Sequence, residues 1–491
     1  MGDDASHDNA KSEHPRKYYD TKEPFSMVAG SQQVYVVSSP KHISELYKDT
    51  VSFNRDLMSK ELYHRAGIPR RVVDRICDVD PKAPYNVNSA RRMRSTDAMM
   101  ALYRQHLSPG KSLDDLLADR IAPCILKALA PKTMPAPASV RAVSLHSVGV
   151  EAFVKGIAEA YYGPVLWEIE PNFVEWYMVW ERVNWKFVFG LPAFLSRDMQ
   201  TARRHLVGTF AKYFTLPQEQ REQGNWWVQA VEGVLRQDKL NDHEIGCMFM
   251  LQTWAILGNM FKTAFWLVAH IVYDPSILDA IRVEIQPALT GDQVDHRYLV
   301  EHFPHLDSLF SEVLRLRMAS PMVRDIAVTS AIGGKTVRAG SRVLVSPGAV
   351  CLVLNLDLEK TLTQDTVQAS YRQLHLNPDV WGSAPHVLEA DRFAKDPGLR
   401  SNASYRPWGG GSTACPGRFL AKQTIFCFVA HLLRDFELGL QQQEGTSAAD
   451  APDHPDRGRF PRADWSRLSP GIVGPLEGED LTLVIRRIHR K

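Results

Sequence analysis

The 491-residue sequence predicts a mainly α protein with a smaller β-rich lobe, an α+β class, and three observations carry that expectation. Residues 87 to 275 are compatible with helix almost throughout and contain one long apolar run, Ile245 to Val272. Short β-branched runs bounded by turn residues flank that region at Val34 to Val37, between Ile326 and Val345, and at Leu481 to Ile485. Towards the C-terminus a glycine-rich loop holding one cysteine runs straight into an apolar helical pattern.

Composition narrows the function classes. Lys and Arg number 58 against 56 Asp and Glu, a net charge of +2, so no global field favours nucleic acid or an acidic partner. Six cysteines (Cys77, Cys124, Cys247, Cys351, Cys415, Cys427) are scattered, with neither a C-x-x-C pair nor zinc spacing, which suits a reducing compartment. Residues 1 to 24 are charged and polar and read as a disordered leader, neither signal peptide nor spanning segment. From residue 25 to 491 a single catalytic domain is expected.

Taken in order, Val34-Tyr35-Val36-Val37 is a strand closed by Ser38-Ser39-Pro40, and Lys41 to Tyr47 is an amphipathic helix. The helical region that follows breaks at Ser108-Pro109-Gly110 and over Pro131 to Pro137. An aromatic-rich section carries Trp167, Phe173, Trp176, Trp180, Trp185, Phe187 and Phe189. The run Ile245 to Val272 has the length of a membrane span. Gln252, Asn259, Lys262 and Thr263 interrupt it, and polar groups in mid-segment favour a buried helix lining a cavity. Beyond Arg317, Ile326-Ala327-Val328, Thr336-Val337-Arg338 and Val343-Leu344-Val345 are strand candidates with glycine turns between them. Residues 440 to 470 read as a surface loop, and Leu481 to Ile485 as a terminal strand.

The chemistry concentrates between Arg406 and Gln423. Trp408, Gly411, Cys415 and Gly417 are spaced so that a glycine-rich backbone approaches a flat ligand in front of one sulfur. A helix starting at Pro416 would turn its free N–H groups toward that sulfur and favour the thiolate. This is the build of an axial thiolate site, and an iron centre would hold the anion further.

The stretch resembles the haem-binding signature of the cytochrome P450 family, and the resemblance runs from about Phe25 to Lys491. Glu312 and Arg315, three apart on one helical face, resemble the family's Glu-x-x-Arg pair, and Arg392 the arginine that completes the triad. The resemblance implies the P450 fold, a haem whose iron is ligated by Cys415, and a structural role for the triad in positioning the cysteine loop. Family members commonly carry Arg or His two residues before the cysteine, where this chain has Thr413. Arg324 and Arg406 are the candidates to meet haem propionates instead, with Trp408 and Gly411 completing the cofactor loop.

The central apolar helix departs from the family's usual pattern. An acid followed by threonine there commonly delivers protons during dioxygen reduction; this chain has Gly258 and Asn259 at those positions. The segment around them resembles the branch containing cholesterol 7α-hydroxylase, sterol 12α-hydroxylase and prostacyclin synthase, which holds hydroxylases and an isomerase. Asn259 can orient a water or an oxygenated substrate but cannot itself act as an acid. Lys262, one turn on, either faces the pocket or snorkels outward. In the family the aromatic-rich section covers the pocket and touches the membrane; ordinary core packing explains it equally. By position, substrate contacts fall in Leu251 to Thr263, Ala319 to Val323 and Gly471 to Val473, mostly apolar.

The resemblance therefore implies a monooxygenase acting on a lipophilic small molecule (a sterol, terpenoid or other secondary metabolite), served by NADPH–cytochrome P450 reductase at the endoplasmic reticulum membrane. An isomerase or dehydratase acting on a peroxide or oxygenated substrate, and a non-catalytic haem protein, are the alternatives. Val350 to Gln368 falls where the family has almost no residues. Val-Cys at its start can be written GTATGT and Gln at its end CAG, the boundary signals of a short intron; the segment is either a retained intron or a surface loop.

Overall fold

The computed structural model describes residues 23–29, 32–78, 94–133, 140–290, 293–345, 371–441, 459–466 and 469–488. The leader and the segment 350–368 lie outside them, as does most of 440–470. The chain packs into two compact units, each assembled from separated stretches.

The first unit draws on 1–59, 308–415 and 463–474. Its five-stranded sheet runs in the order Phe25–Ala29, Gln32–Val36, Arg342–Val345, Met322–Ile326, Phe53–Asn54. The first pair is an antiparallel ladder with Phe25 opposite Val36, and Arg342–Val345 lies parallel to Gln32–Val36 and antiparallel to Met322–Ile326. Tyr35 and Val343, paired across the parallel ladder, are buried on one face and Val36 on the other, so this part of the sheet is covered on both sides. The Met322–Ile326 strand lies earlier than expected and ends at Ile326; the Ala327 N–H still donates to the Ser52 carbonyl at 2.8 Å, but Ala327 and Val328 are exposed. A small Ser330–Ile332/Lys335–Val337 hairpin turns through Gly333 and Gly334, both at positive φ.

The strand–helix expectation near the start holds. Pro40 sits in the first turn of the helix Pro40–Lys48, where its missing N–H costs nothing, and His42, Ile43 and Leu46 face inward. Tyr47, in the last turn of that helix, lies against the backbone of the glycine loop at 409–411.

The second unit draws on 60–307, 416–462 and 475–491 and is mainly helical. Its three-stranded antiparallel sheet has the order Phe436–Leu440, Thr482–Arg487, Val140–Ser144. The expected break at 108–110 falls between the helices Ser95–Leu107 and Lys111–Asp115, whereas the helix Ala122–Thr133 continues through Pro131. The central apolar run forms Asp242–Leu257 and Met260–Tyr273, separated by Gly258 and Asn259. A capping box starts it: the Asn241 side chain accepts from the Glu244 N–H while the Glu244 carboxylate accepts from the Asn241 N–H. Asp242–Tyr273 is long and apolar enough to cross a bilayer, yet 72% of its most apolar window is buried within the protein.

The aromatic section divides by face. Phe173, Tyr177, Trp180, Asn184 and Phe187 repeat at helical spacing along Phe173–Val188 and are buried; Trp167, Trp176, Trp185 and Phe189 are half-buried. Trp180 meets Trp254 of the central helix edge-on, with centroids 5.5 Å apart.

Candidate active site

The Cys415 loop closes on itself. The Cys415 N–H donates to the Trp408 carbonyl at 2.9 Å, and the Trp408 ring lies 6.3 Å from that of Phe310. Two glycines in between are demanded by Tyr47: a Cβ on Gly410 would stand 2.8 Å from its ring, and Gly411, at φ +59, would place one 3.1 Å from its carbonyl. The close approach read from the sequence is thus, for Gly410 and Gly411, an approach to Tyr47. The helix behind the cysteine begins at Arg418, two residues later than expected, because Pro416 and Gly417 form a turn with Gly417 as the N-cap.

Two arginines converge on the same tyrosine. Arg324 is buried; its Nη2 donates to the Thr413 hydroxyl at 2.7 Å and its Nη1 to the Val323 carbonyl at 2.9 Å. The Thr413 hydroxyl in turn donates to the Gly410 carbonyl at 3.0 Å. Arg406 donates to the Ala403 carbonyl and the Ser44 hydroxyl. The two guanidinium groups lie 5.2 Å and 5.7 Å from the Tyr47 ring centroid, and the Tyr47 hydroxyl bonds to that of Tyr371. Burial pulls the Arg324 pKa down from its usual value. Among the described residues no carboxylate stands within ion-pair distance of either arginine. A buried cation whose hydrogen-bond partners are all neutral suits an anionic group, and the two propionates of a haem are such groups.

The Glu-x-x-Arg helix Pro304–Arg317 supplies the support beneath. Glu312 and Arg315 are fully buried and paired through two bonds of 2.7 and 2.6 Å, and Arg392 reaches the same carboxylate at 3.1 Å. Arg315 also donates to the carbonyls of His375 and Pro385, so both ends of the pair are satisfied. Sequence reasoning missed His375. It is fully buried, with Nδ1 at 3.0 Å from the Arg315 carbonyl and Nε2 accepting the Arg406 N–H at 2.9 Å. That arrangement puts the proton on Nδ1, and burial with the adjacent Arg315 charge lowers its pKa to about 3. A neutral imidazole therefore links the buried triad to the start of the cysteine loop. Its isolated position in the sequence carried no local signal.

In the second unit, the central helix is buried or half-buried from Glu244 to Ile271 except at Ala255 and Asn259, four residues apart on one face. At the break the Thr263 hydroxyl donates to the Asn259 carbonyl at 2.9 Å, the side-chain back-bonding that bends helices. Lys262 points inward, forming an ion pair with Glu181 of the Phe173–Val188 helix. Glu181, unremarked in the sequence, also accepts from the Asn184 amide at 3.1 Å.

Cys427 offers the contrast to Cys415. It lies within the helix Arg418–Asp435, its sulfur within 4.8 Å of ring nitrogens of His296 and His431. Burial pushes its thiol up to about 12 and holds His431 down to about 4, so both are neutral groups in the core. Of the expected substrate segments, the two in the first unit meet where the Ala319 N–H donates to the Gly471 carbonyl, and just before the first segment the Arg317 carbonyl accepts from the Val473 N–H. Met322, Ile472 and Val473 are buried, leaving Ala319 and Val323 half-exposed.

The family model described as cytochrome P450 matches residues 165–352 and 363–453, more than half of the chain. The chain belongs to the cytochrome P450 family. Its haem, held by a cysteine thiolate, comes with that membership. Prostacyclin synthase of Bos taurus is 33% identical over 238 residues, 46% of this chain and 42% of that protein. Human 7-alpha-hydroxycholest-4-en-3-one 12-alpha-hydroxylase is 24% identical over 285 residues, 54% of this chain and 50% of that protein. A cytochrome P450 monooxygenase of Penicillium oxalicum is 24% identical over 305 residues, 58% of this chain and 56% of that protein. The chain spans about half the length of the curated relatives it matches. Among solved structures, retinoic-acid-bound cyanobacterial CYP120A1 superposes with a TM-score of 0.65 at 16% identity, covering 97% of this chain and 94% of that one. The mainly α P450 fold expected from the sequence is the fold observed.

Proposed function

We propose that this chain is a haem-thiolate monooxygenase that inserts one atom of dioxygen into a lipophilic small molecule, with electrons from NADPH–cytochrome P450 reductase. The observation that carries the reading is the closed Cys415 loop, flanked by Arg324 and Arg406, which have no carboxylate within ion-pair distance among the described residues. Relatives named as hydroxylases and as a monooxygenase support it. The balance is RH + O2 + 2 e− + 2 H+ → ROH + H2O. When bound, the haem supplies the redox centre at which dioxygen is activated. The protein's share is to hold and tune it. Cys415 is the thiolate ligand, Arg324 and Arg406 take the propionates, and Trp408 and Gly411 shape the loop. The triad with His375 keeps that loop in place.

Both protons must be brought in by the protein. Gly258 contributes no group, and Asn259, exposed at the helix break, orients a water that carries them. Reductant-dependent product formation on a panel of sterols, terpenoids and related lipophilic compounds tests the reading. In Asn259→Ala reductant is still consumed, peroxide is released and product falls. Equal product per reductant in both proteins denies Asn259 that role.

A second reading follows from Gly258 and Asn259 and from the likeness to prostacyclin synthase: rearrangement of a peroxide or oxygenated substrate without reductant. Full turnover under argon without NADPH would replace the first reading by this one.

A further inference from the structure

The family's usual proton-delivering acid sits on the central helix itself, and here that position is Gly258. The ionisable group next to the break comes from elsewhere. Oε2 of Glu181 lies 3.5 Å from where a Cβ on Gly258 would stand, so the carboxylate abuts the backbone at the place the missing acid would occupy. The Glu181 and Lys262 side chains are 7% and 11% exposed, a pair removed from bulk water. One carboxylate oxygen takes the Lys262 ammonium and the other the Asn184 amide.

Such a pair is poor economy for stability. Taking two charges out of water costs several kcal/mol, and apolar residues of similar size would serve packing as well or better. Its electrostatics suit proton exchange. Burial holds the Glu181 pKa above the usual carboxylate range, a rise that the Lys262 charge and the hydrogen bonds of Lys262, Trp254 and Asn184 lessen without cancelling. The groups facing it are Lys262 from the central helix, Tyr177 and Asn184 from its own helix and Trp254 across from it, with His146 near the lysine. Asn259, the next residue after Gly258, is exposed, and it is the position to which the monooxygenase reading assigns the proton-carrying water.

We infer that Glu181, paired with Lys262, is the proton-relay residue of this enzyme, delivering protons across Gly258 to the water held at Asn259. The inference rests on the monooxygenase reading. The resting group is the carboxylate paired with Lys262; twice in each catalytic cycle it takes up a proton that comes from solvent and passes it on toward dioxygen reduction, so its charge returns and the two protons of the overall balance are accounted for.

The test uses the haem-loaded protein. Glu181→Gln alone leaves a buried lysine unpaired, so the neutral pair Glu181→Gln/Lys262→Met is compared with it. Product per reductant in the neutral pair falls by about a hundredfold, the lower end of what a positioned proton donor contributes, with peroxide released instead. The swapped pair Glu181→Lys/Lys262→Glu, which returns an acid to the central helix, restores coupling. A readout independent of turnover is the infrared carboxyl band that appears on acidification in the wild type and is missing from Glu181→Gln. Wild-type coupling in the neutral pair, or an infrared titration unchanged by Glu181→Gln, overturns the relay and leaves the monooxygenase reading standing. Wild type giving no reductant-dependent product overturns that reading itself.

Discussion

Acidification should loosen the cysteine loop through His375. In the folded protein its pKa is held at about 3, against an ordinary value of 6.5. Between those values the unfolded chain binds one proton more than the folded protein. Stability is therefore unaffected above the ordinary value and falls as pH drops below it, until about pH 3. From neutrality to about pH 5 this amounts to about 2 kcal/mol, at 1.36 kcal/mol per pH unit. The structural reason is that a protonated Nε2 would face the Arg406 N–H, two donors in contact, beside the Arg315 charge. The comparison is with His375→Gln, which keeps an acceptor for Arg406 and does not titrate. Urea unfolding at about pH 7.5 and about pH 5 should show the wild type losing about 2 kcal/mol more than the variant. His106 and His431, also lowered to about 4, are common to both proteins and cancel. Equal acid sensitivity would refute the neutral bridge.

Other outcomes follow from the same geometry. Cys415→Ala should abolish the thiolate-type Soret band of the reduced carbon monoxide complex, while Cys427→Ala keeps it; the reverse pattern would move the ligand to Cys427. Arg324→Gln should speed haem transfer to an acceptor apoprotein by about tenfold or more, since a hydrogen bond to a charged partner contributes roughly 1.5–3 kcal/mol. An unchanged rate would remove Arg324 from propionate binding. The family match stops at residue 352 and resumes at 363, inside the extra segment 350–368. Transcript sequencing should find a spliced message without Val350 to Gln368; a spliced message that retains them makes the segment a loop.

What the sequence made legible was local. The Glu312–Arg315 pair and the strand–helix start are written in spacings of a few residues and form as expected, while the cysteine loop forms with its helix two residues later and its glycines turned to Tyr47. What it hid was made by chain topology. Glu181 and Lys262 stand 81 residues apart, and the strict need for glycine at 410 comes from Tyr47, whose hydroxyl meets Tyr371. Lys262 could not be oriented from periodicity because its partner is an isolated acid on another helix. The central break was visible only as an odd pair of residues; the Thr263 back-bond that marks it is a matter of three-dimensional geometry.

The Arg324–Thr413 contact couples this loop to a strand. At 413, where family members commonly carry Arg or His, this loop has a hydroxyl that accepts a hydrogen bond from an arginine on a strand 89 residues earlier in the chain. A substitution at 413 should therefore be felt at Arg324 and the reverse, and a double-mutant cycle over the two positions measures that coupling.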